Sequence, residues 1–232
     1  MACVIVEPVA ANMGVVLPES NFLSGLRQIC DRYGALLIFD EVITGFRLQL
    51  DGAIGYFGVT PDLVTYGKII GGGMPVGAYG GRKEIMQLVA PLGSVYQAGT
   101  LSGNPVAMCA GITQLRYLQA HPKVYQQIRG LSDRFRNGLK EIIQRYHAPC
   151  TVNGMESLSC LYFTSKPVTN YASAKQADTQ QFRQYFHYML DAGSYFGPSQ
   201  FEAIFVSNAH TTQEIDKTLS DAEAYFAAQE KK

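Results

Sequence analysis

The sequence predicts an α/β fold with a mostly parallel sheet and flanking helices, followed by a smaller α+β domain. Within residues 1–40, two apolar strand segments flank a segment whose apolar residues have helical spacing. The strand at residues 35–39 is apolar on both faces, as expected for a strand that helices cover on both sides. After about Pro122, shorter strand-like and helix-like segments alternate. We therefore predict a large domain at residues 1–121 and a small domain at residues 122–232.

The elements of the large domain follow from local patterns. A β-branched segment predicts a strand at residues 3–6, and helically spaced apolar residues closed by Gly34 predict a helix at residues 20–32. Strands are also predicted at residues 63–66 and 76–80, with the glycine-rich segment 71–75 between them. A helix at residues 105–120 begins at Asn104-Pro105, because the first helical turn tolerates proline.

The elements of the small domain are predicted in the same way. A long helix at residues 123–146 is ended by the sequence HAP at 147–149. Thr211 and Glu214 have the spacing of a capping box, which places a helix start there. The remaining segments predict strands at residues 158–163 and 201–206 and helices at residues 179–190 and 211–228.

The composition favours a small-molecule partner. Of the 232 residues, 47% are hydrophobic and 16% are charged, which suits a well-buried core. Basic and acidic residues number 19 each, without a basic block, so we expect neither a nucleic-acid partner nor an anionic membrane surface. No segment approaches the roughly 20 apolar residues of a membrane span. The five cysteines and four histidines lack metal-site spacing. We expect a cytoplasmic protein without a metal.

Asp40 and Lys68 are the first two candidates for chemistry. Asp40 ends an apolar strand, at the edge where parallel sheets bind ligands. Lys68 follows the next predicted strand, among Gly67, Ile69 and Ile70, and we expect its amine to be partly desolvated and nucleophilic. A carboxylate facing a ring nitrogen and a lysine able to form a Schiff base are the groups that pyridoxal phosphate requires. The alternatives are an acid that caps a turn and a solvated surface lysine.

Val42 and Thr100 are candidates for cofactor contacts. Val42 lies on the same face as Asp40 and could pack on a cofactor ring, or it could belong to the ordinary core. Thr100 lies in a segment of small and hydroxyl residues before the helix at residue 105, where backbone N–H groups and the helix dipole favour phosphate. Its alternative role is to organise the turn. The glycines at 71–73 permit either close approach of a ligand or a tight loop.

Glu202 is the candidate in the small domain. We predict that it lies in a strand with apolar neighbours, where a charge requires a partner or a functional role. Exposure on the solvent face of that strand is the alternative.

Four ordered motifs give the chain a family resemblance: EPV at 7–9, LIFDEV at 37–42, GKIIGGG at 67–73 and GTLSGNP at 99–105. Together they resemble the class III pyridoxal-phosphate aminotransferases of fold type I. Within that class the chain is most similar to the aminomutases that act on glutamate 1-semialdehyde, through NMG at 12–14, PVGAYGG at 75–81 and SQFEA at 199–203.

The resemblance implies a role for each candidate. Lys68 would form the Schiff base with the cofactor and move protons, Asp40 would pair with the pyridine nitrogen, and Val42 would pack on the ring. Thr100 would contact the phosphate of the neighbouring subunit's cofactor, so that a homodimer completes each site. Glu202 matches an acid that the aminomutases carry where other class III enzymes commonly have an arginine.

The implied reaction converts glutamate 1-semialdehyde, an amino aldehyde, into 5-aminolevulinate for tetrapyrrole synthesis, with pyridoxal or pyridoxamine 5'-phosphate as cofactor. Two alternatives remain: a class III aminotransferase that uses another amino donor, and a non-catalytic fragment or assembly module.

The resemblance also implies a longer parent protein. Chains of the family have about as much sequence again before the segment that matches Met1, so we expect this chain to be the C-terminal portion. We predict that it is weakly folded or inactive on its own, because its sheet would lack neighbouring strands.

Overall fold

The computed structural model describes residues 1–230, which divide into two compact units. The first unit contains Met1–Pro8 and Pro18–Pro122, and the second contains Val9–Leu17 and the chain from Lys123 onward. The sequence-based assignment of residues 1–121 to one domain placed Val9–Leu17 in the large domain, whereas this segment packs with the second unit.

The first unit is built on a four-stranded sheet in the order β1-β2-β3-β4. Strands β1 (Cys3–Val6), β2 (Leu36–Asp40) and β3 (Leu63–Tyr66) are parallel, and β4 (Ala78–Gly81) is antiparallel to β3. The helices are α1 (Phe22–Tyr33), α2 (Gly52–Phe57), α3 (Lys83–Met86) and α4 (Pro105–Ala120), with a 3₁₀ helix at Lys68–Gly71.

The apolar strand segment that predicted the parallel sheet lies in the core of this unit. Leu37 and Phe39 of β2 are completely buried and pack with Leu23 and Cys30 of α1. Gly34 ends α1 in the left-handed conformation, as its position after the helical pattern indicated. The strand–helix–strand order predicted for residues 1–40 is therefore confirmed.

The second unit combines long helices with a three-stranded antiparallel sheet. Its sheet has the order β5 (Thr151–Met155), β6 (Leu158–Tyr162) and β7 (Ile204–Phe205). Its helices are α5 (Lys123–Arg145), α6 (Tyr171–Ala174), α7 (Thr179–Asp191) and α8 (Thr212–Glu230). The core joins the apolar faces of α5, α7 and α8 to β6 through residues such as Phe135, Phe163, Tyr185, Met189 and Phe226.

Two strands of the second unit differ from the prediction. The sequence analysis missed β5, because Asn153 and Gly154 weaken its strand pattern; Gly154 is needed where the buried Arg136 side chain crosses the strand. The predicted strand at residues 201–206 is reduced to Ile204–Phe205, because Phe201 and Glu202 belong to a turn. The predicted capping box is confirmed by hydrogen bonds in both directions between Thr211 and Glu214.

Candidate functional site

Neighbouring parallel strands bring the ends of β2 and β3 together. Asp40, the last residue of β2, is in register with Thr65 of β3, and Lys68 follows Thr65 by three residues. The Glu41 amide continues the ladder by donating to the Thr65 carbonyl at 2.9 Å. Asp40 and Lys68 therefore lie at the same, carboxyl edge of the sheet, where ligands of parallel sheets bind.

One oxygen of the Asp40 carboxylate accepts hydrogen bonds from residues 1–230, and the other accepts none from them. Its Oδ1 accepts hydrogen bonds from the Val42 amide at 3.0 Å and from the Thr65 hydroxyl at 3.3 Å. Within residues 1–230, its Oδ2 accepts no hydrogen bond. The side chain is thus fixed in direction while one acceptor oxygen stays available, which suits a protonated ring nitrogen.

Val42 links the two strand ends by packing. A Cβ atom on Gly67 would lie 3.2 Å from Val42 Cγ1, so the backbone just before Lys68 is in close contact with the Val42 side chain. Val42 is half-buried. Its position beside Lys68 and its hydrogen bond to Asp40 place all three predicted residues in one small area of the first unit.

Lys68 has a backbone conformation that is unusual for its side chain. Its φ angle is +50°, in the left-handed region, directly after an extended Gly67. Such conformations cost about 1 kcal/mol or more in non-glycine residues and cluster at functional sites. The expectation that the Lys68 amine is desolvated was wrong for this structure, because the residue is exposed. Within residues 1–230, its ammonium has no ion-pair or hydrogen-bond partner.

The glycines after Lys68 allow helix α4 to approach closely. A Cβ atom on Gly72 would lie 2.6 Å from the Ala110 carbonyl oxygen, and a Cβ atom on Gly111 would lie 2.2 Å from the Ile70 carbonyl oxygen. Of the two interpretations of the glycine-rich segment, the tight packing of backbone on backbone is the one that these distances support. Helix α4 thereby supports the 3₁₀ helix that begins at Lys68.

Thr100 lies in an exposed turn before α4. The amides of Val106 and Ala107, in the first turn of α4, are already bonded to the Asn104 side chain at 3.1 Å each. The expectation that free amides of the helix start would bind phosphate is therefore not met at these two amides. The hydroxyl and backbone of the turn around Thr100 remain the candidate phosphate contacts.

Glu202 belongs to the second unit and is exposed in a turn rather than in a strand. Its amide donates to the Ser199 carbonyl at 3.1 Å, and the neighbouring Gln200 side chain is bonded to the amide of Phe163 and the carbonyl of Leu161. Glu202 is thus exposed, as the alternative expected, but it lies in a turn and not on the face of a strand.

Two buried carboxylates of the first unit were missed: Glu41 lies beside the site, and Asp62 lies before β3, at the opposite end of the strands. Glu41 is completely buried and accepts three hydrogen bonds, and Asp62 binds the Leu37 amide of β2 at 2.7 Å. The signal for Glu41 was a second acid, directly after Asp40, in the otherwise apolar segment 36–43, since a buried acid requires internal partners.

Residues 1–230 contain neither a metal-binding cluster nor a membrane-spanning helix. No group of three or more histidine, cysteine, aspartate or glutamate residues there has the arrangement of a metal site. None of the helices in this part of the chain combines the length and the apolar character that crossing a membrane requires.

Comparison with known proteins identifies a family. Residues 1–222 match the family model described as aminotransferase class-III. The chain is 60% identical over 229 residues to glutamate-1-semialdehyde 2,1-aminomutase 2 of Lachnoclostridium phytofermentans, covering 99% of this chain and 54% of the relative. The chain spans about half the length of the curated relatives it matches.

Solved structures agree with this relationship. An omega-transaminase from Sphaerobacter thermophilus superposes with a TM-score of 0.87 at 31% identity, covering 97% of this chain and 51% of that one. A glutamate-1-semialdehyde aminomutase from Pseudomonas aeruginosa, solved in complex with PMP, has a TM-score of 0.85 at 24% identity, covering 98% and 52%. These matches confirm the predicted fold class. The chain belongs to the class III aminotransferase family.

Proposed function

We propose that the chain carries the lysine-bearing part of the site of an enzyme that converts glutamate 1-semialdehyde into 5-aminolevulinate with pyridoxal or pyridoxamine 5'-phosphate. The supporting observation is the placement of Asp40, Val42 and Lys68 at one edge of the sheet, with one Asp40 oxygen and the Lys68 amine lacking partners within residues 1–230. The names of relatives such as the Lachnoclostridium aminomutase support the choice of substrate.

The residues present fit the cofactor. Asp40 Oδ2 would accept a hydrogen bond from the protonated ring nitrogen and so keep that nitrogen protonated, and the Val42 side chain would pack on the ring. When bound, the cofactor supplies an electron sink and carries the amino group between substrate carbons. Lys68 Nζ would hold the cofactor covalently until an amino group of the substrate displaces it. The freed amine, in its neutral form, would then take a proton from one carbon and return it to another, which requires both carbons to be within its reach.

The two units have separate roles in this proposal. The first unit is the cofactor-binding part of a large domain, and the second is a small domain that contributes Glu202 to substrate selection. Other class III enzymes commonly have an arginine at the position that Glu202 resembles. The acid at this position favours intramolecular amino transfer over transfer to a separate keto acid.

We also propose that Thr100 contacts the cofactor phosphate of a neighbouring subunit, which requires a homodimer. Segment 92–101, which contains Thr100, has exposed apolar side chains: Leu92, Tyr96 and Leu101 are 79%, 83% and 63% exposed. Exposed apolar patches of this kind mark association surfaces. A second copy covering this segment would bring Thr100 to the cofactor phosphate of its neighbour. A cytoplasmic location would follow from this metabolic role.

A class III aminotransferase with another amino donor is the second candidate, because the omega-transaminase structure shares 31% identity with the chain. Dependence on an added amino acceptor separates the two. A mutase forms 5-aminolevulinate from the amino aldehyde alone, whereas a transaminase stops after half a reaction without a keto acid.

The first test is covalent trapping of the cofactor. The purified chain would be incubated with pyridoxal phosphate, reduced with borohydride and analysed by peptide mass spectrometry. We expect a stoichiometric pyridoxyl group on Lys68, its loss in Lys68→Ala, and its retention in Lys83→Ala, which removes another lysine of the first unit. Scattered labelling, or none, would contradict a specific site in this chain and would favour the alternative of a non-catalytic fragment.

A further inference from the structure

The buried side chain of Glu41 joins the end of β2 to the start of α2 through hydrogen bonds. Its side chain is completely buried and accepts hydrogen bonds from the Thr44 hydroxyl at 3.0 Å, the Ala53 amide at 2.7 Å and the Ile54 amide at 3.0 Å. Two of these donors are backbone amides, which can only donate, so both carboxylate oxygens act as acceptors. Replacing either oxygen by an NH₂ group would place a donor against a donor.

The backbone around Glu41 is shaped to admit this carboxylate. Gly52 has a φ angle of +59°, and a Cβ atom there would lie 2.4 Å from Glu41 Oε2. Only glycine combines that conformation with that approach. Tyr66 lies nearby, and burial together with the charge of Glu41 raises its pKa. The loop that follows β2 is therefore closed onto the start of α2 around one buried acid.

The main chain of Glu41 is fixed as well. Its amide donates to the Thr65 carbonyl at 2.9 Å, and its carbonyl accepts from the Gly45 amide at 2.9 Å. Fixing one residue on its side chain, its amide and its carbonyl restricts the dihedral angles on both sides of it. Those two sides are Asp40 and Val42, which are joined to each other by the bond from the Val42 amide to Asp40 Oδ1.

We infer that Glu41 is a positioning residue, which holds Asp40 and Val42 at the angle needed to face a cofactor beside Lys68. It would touch neither cofactor nor substrate, because it points into the protein interior. The value of such an anchor is preorganisation: a carboxylate that is already aimed does not have to be reoriented when the ligand binds. This inference rests on the proposed function for its purpose, but its structural content can be tested separately.

The experiment measures amide hydrogen exchange in the 232-residue chain without cofactor. In Glu41→Gln one acceptor oxygen becomes an NH₂ group, so either the Ala53 or the Ile54 amide loses its acceptor and is expected to exchange faster. The decisive probe is the Val42 amide, whose acceptor is Asp40. We expect exchange of the Val42 amide to accelerate about tenfold, the effect of losing one hydrogen bond of about 1.4 kcal/mol. Faster exchange at Ala53 or Ile54 with unchanged exchange at Val42 would show that Glu41 only caps α2, and would overturn the inference.

Two further variants keep the result interpretable. Asp51→Asn removes a negative charge from the residue just before α2, where the Asp51 side chain makes no capping bond, and should leave Val42 exchange unchanged. If Glu41→Gln unfolds the chain, seen as faster exchange at the Leu37 amide bonded to Asp62, then Thr44→Val replaces it. Thr44→Val removes one donor to Glu41 and should accelerate exchange of the Val42 amide by a smaller factor than Glu41→Gln does. No acceleration at Val42 would again overturn the inference.

A spectroscopic measurement connects the anchor to the cofactor. With pyridoxal phosphate added, the pH dependence of the absorbance of Glu41→Gln should shift in the same direction as that of Asp40→Asn, while the Lys68 label is retained. A shift absent in Glu41→Gln but present in Asp40→Asn would contradict the inference. Failure of the unmodified chain to label at Lys68 would instead count against the proposed function, and the exchange result would still decide the role of Glu41.

Discussion

At the scale of single residues, the first unit uses two aspartates in different ways. Both oxygens of Asp62 are occupied: Oδ2 accepts from the Leu37 amide at 2.7 Å and from Arg27 at 2.8 Å, and Oδ1 accepts from Arg82 at 3.0 Å. Asp40 is bonded on Oδ1 alone within residues 1–230. Saturated bonding makes Asp62 a structural anchor, whereas the open oxygen of Asp40 leaves it able to bind a ligand.

Asp62 should contribute stability that depends on pH. Burial by itself would raise the pKa of Asp62, but the bonds from Leu37, Arg27 and Arg82 outweigh burial and lower its pKa to about 2. Because the folded-state pKa lies below the unfolded value, this contribution is full above about pH 4 and is lost as the pH falls towards 2. We expect Asp62→Asn to lower the free energy of unfolding by about 2 to 4 kcal/mol at pH 7.

Urea denaturation at pH 7 and pH 2.5 measures this effect. The difference between the original chain and Asp62→Asn should shrink at the lower pH. The control is Asp216→Asn, which breaks an exposed ion pair with Arg134 and should change stability little. An equal difference at both pH values would show that the charge of Asp62 is not what stabilises this part of the unit.

At the scale of elements, the position of Lys68 depends on helix α4. The 3₁₀ helix at Lys68–Gly71 packs on α4, and the contact between Gly111 and the Ile70 carbonyl leaves no room for a side chain. The sequence predicted α4 but neither the 3₁₀ helix nor its contact with α4, because a glycine within a helix indicates only that something approaches closely. The same limit applies to β5, whose Gly154 is required by the Arg136 side chain crossing it.

Gly111→Ala should therefore separate α4 from the lysine segment. The added Cβ atom would lie 2.2 Å from the Ile70 oxygen, a backbone atom that cannot move alone. We expect a loss of about 1 to 3 kcal/mol in the free energy of unfolding, typical of overpacking, and weaker pyridoxyl labelling of Lys68. Gly25→Ala in α1 is the matched control, because nothing lies within 4 Å of its Cβ position. Its stability should be unchanged or raised by up to about 1 kcal/mol. Equal effects of the two variants would contradict the packing argument.

At the scale of the whole molecule, the sequence predicted the order of elements better than their grouping. Apolar periodicity is a local signal, and it located the principal helices and the parallel strands β1, β2 and β3 to within a few residues. The path of Val9–Leu17 could not be predicted in this way, because it is set by contacts with residues far along the chain. The Tyr162 hydroxyl bonds the Met13 carbonyl, and the Asn153 side chain bonds the Val15 carbonyl.

The exposure of Lys68 and the turn at Glu202 could not be predicted from local sequence patterns either. Residue types and spacing selected both positions, but exposure depends on which other segments surround them. The left-handed conformation of Lys68 also has no sequence signal, since lysine does not favour it. Sequence reasoning therefore selected Asp40 and Lys68 as candidates at the carboxyl ends of β2 and β3. The structure added Glu41, which holds the loop after β2, and Asp62, which binds Leu37 at the opposite end of these strands.

A glycine substitution can test whether Val9–Leu17 belongs to the second unit in stability as well as in contacts. Gly14 has a φ angle of +83°, its amide bonds the Phe201 carbonyl at 2.7 Å, and a Cβ atom there would lie 2.2 Å from the hydroxyl oxygen of the buried Tyr162. Gly14→Ala combines backbone strain with a steric clash, so we expect it to lower the free energy of unfolding by about 2 to 4 kcal/mol. Hydrogen exchange should accelerate chiefly in β5 and β6, although residue 14 lies between β1 and α1 in the sequence.

Gly34→Ala is the comparison that isolates this effect. Gly34 is also left-handed, with a φ angle of +63°, but nothing lies within 4 Å of its Cβ position and it ends α1 of the first unit. Gly34→Ala should lower the free energy of unfolding by about 1 to 2 kcal/mol through backbone strain alone, with faster exchange in α1 and β2. If Gly14→Ala instead accelerated exchange in β1 and β2 and left β6 protected, then Val9–Leu17 would draw its stability from the first unit, and the contacts with Tyr162 and Asn153 would be incidental to it.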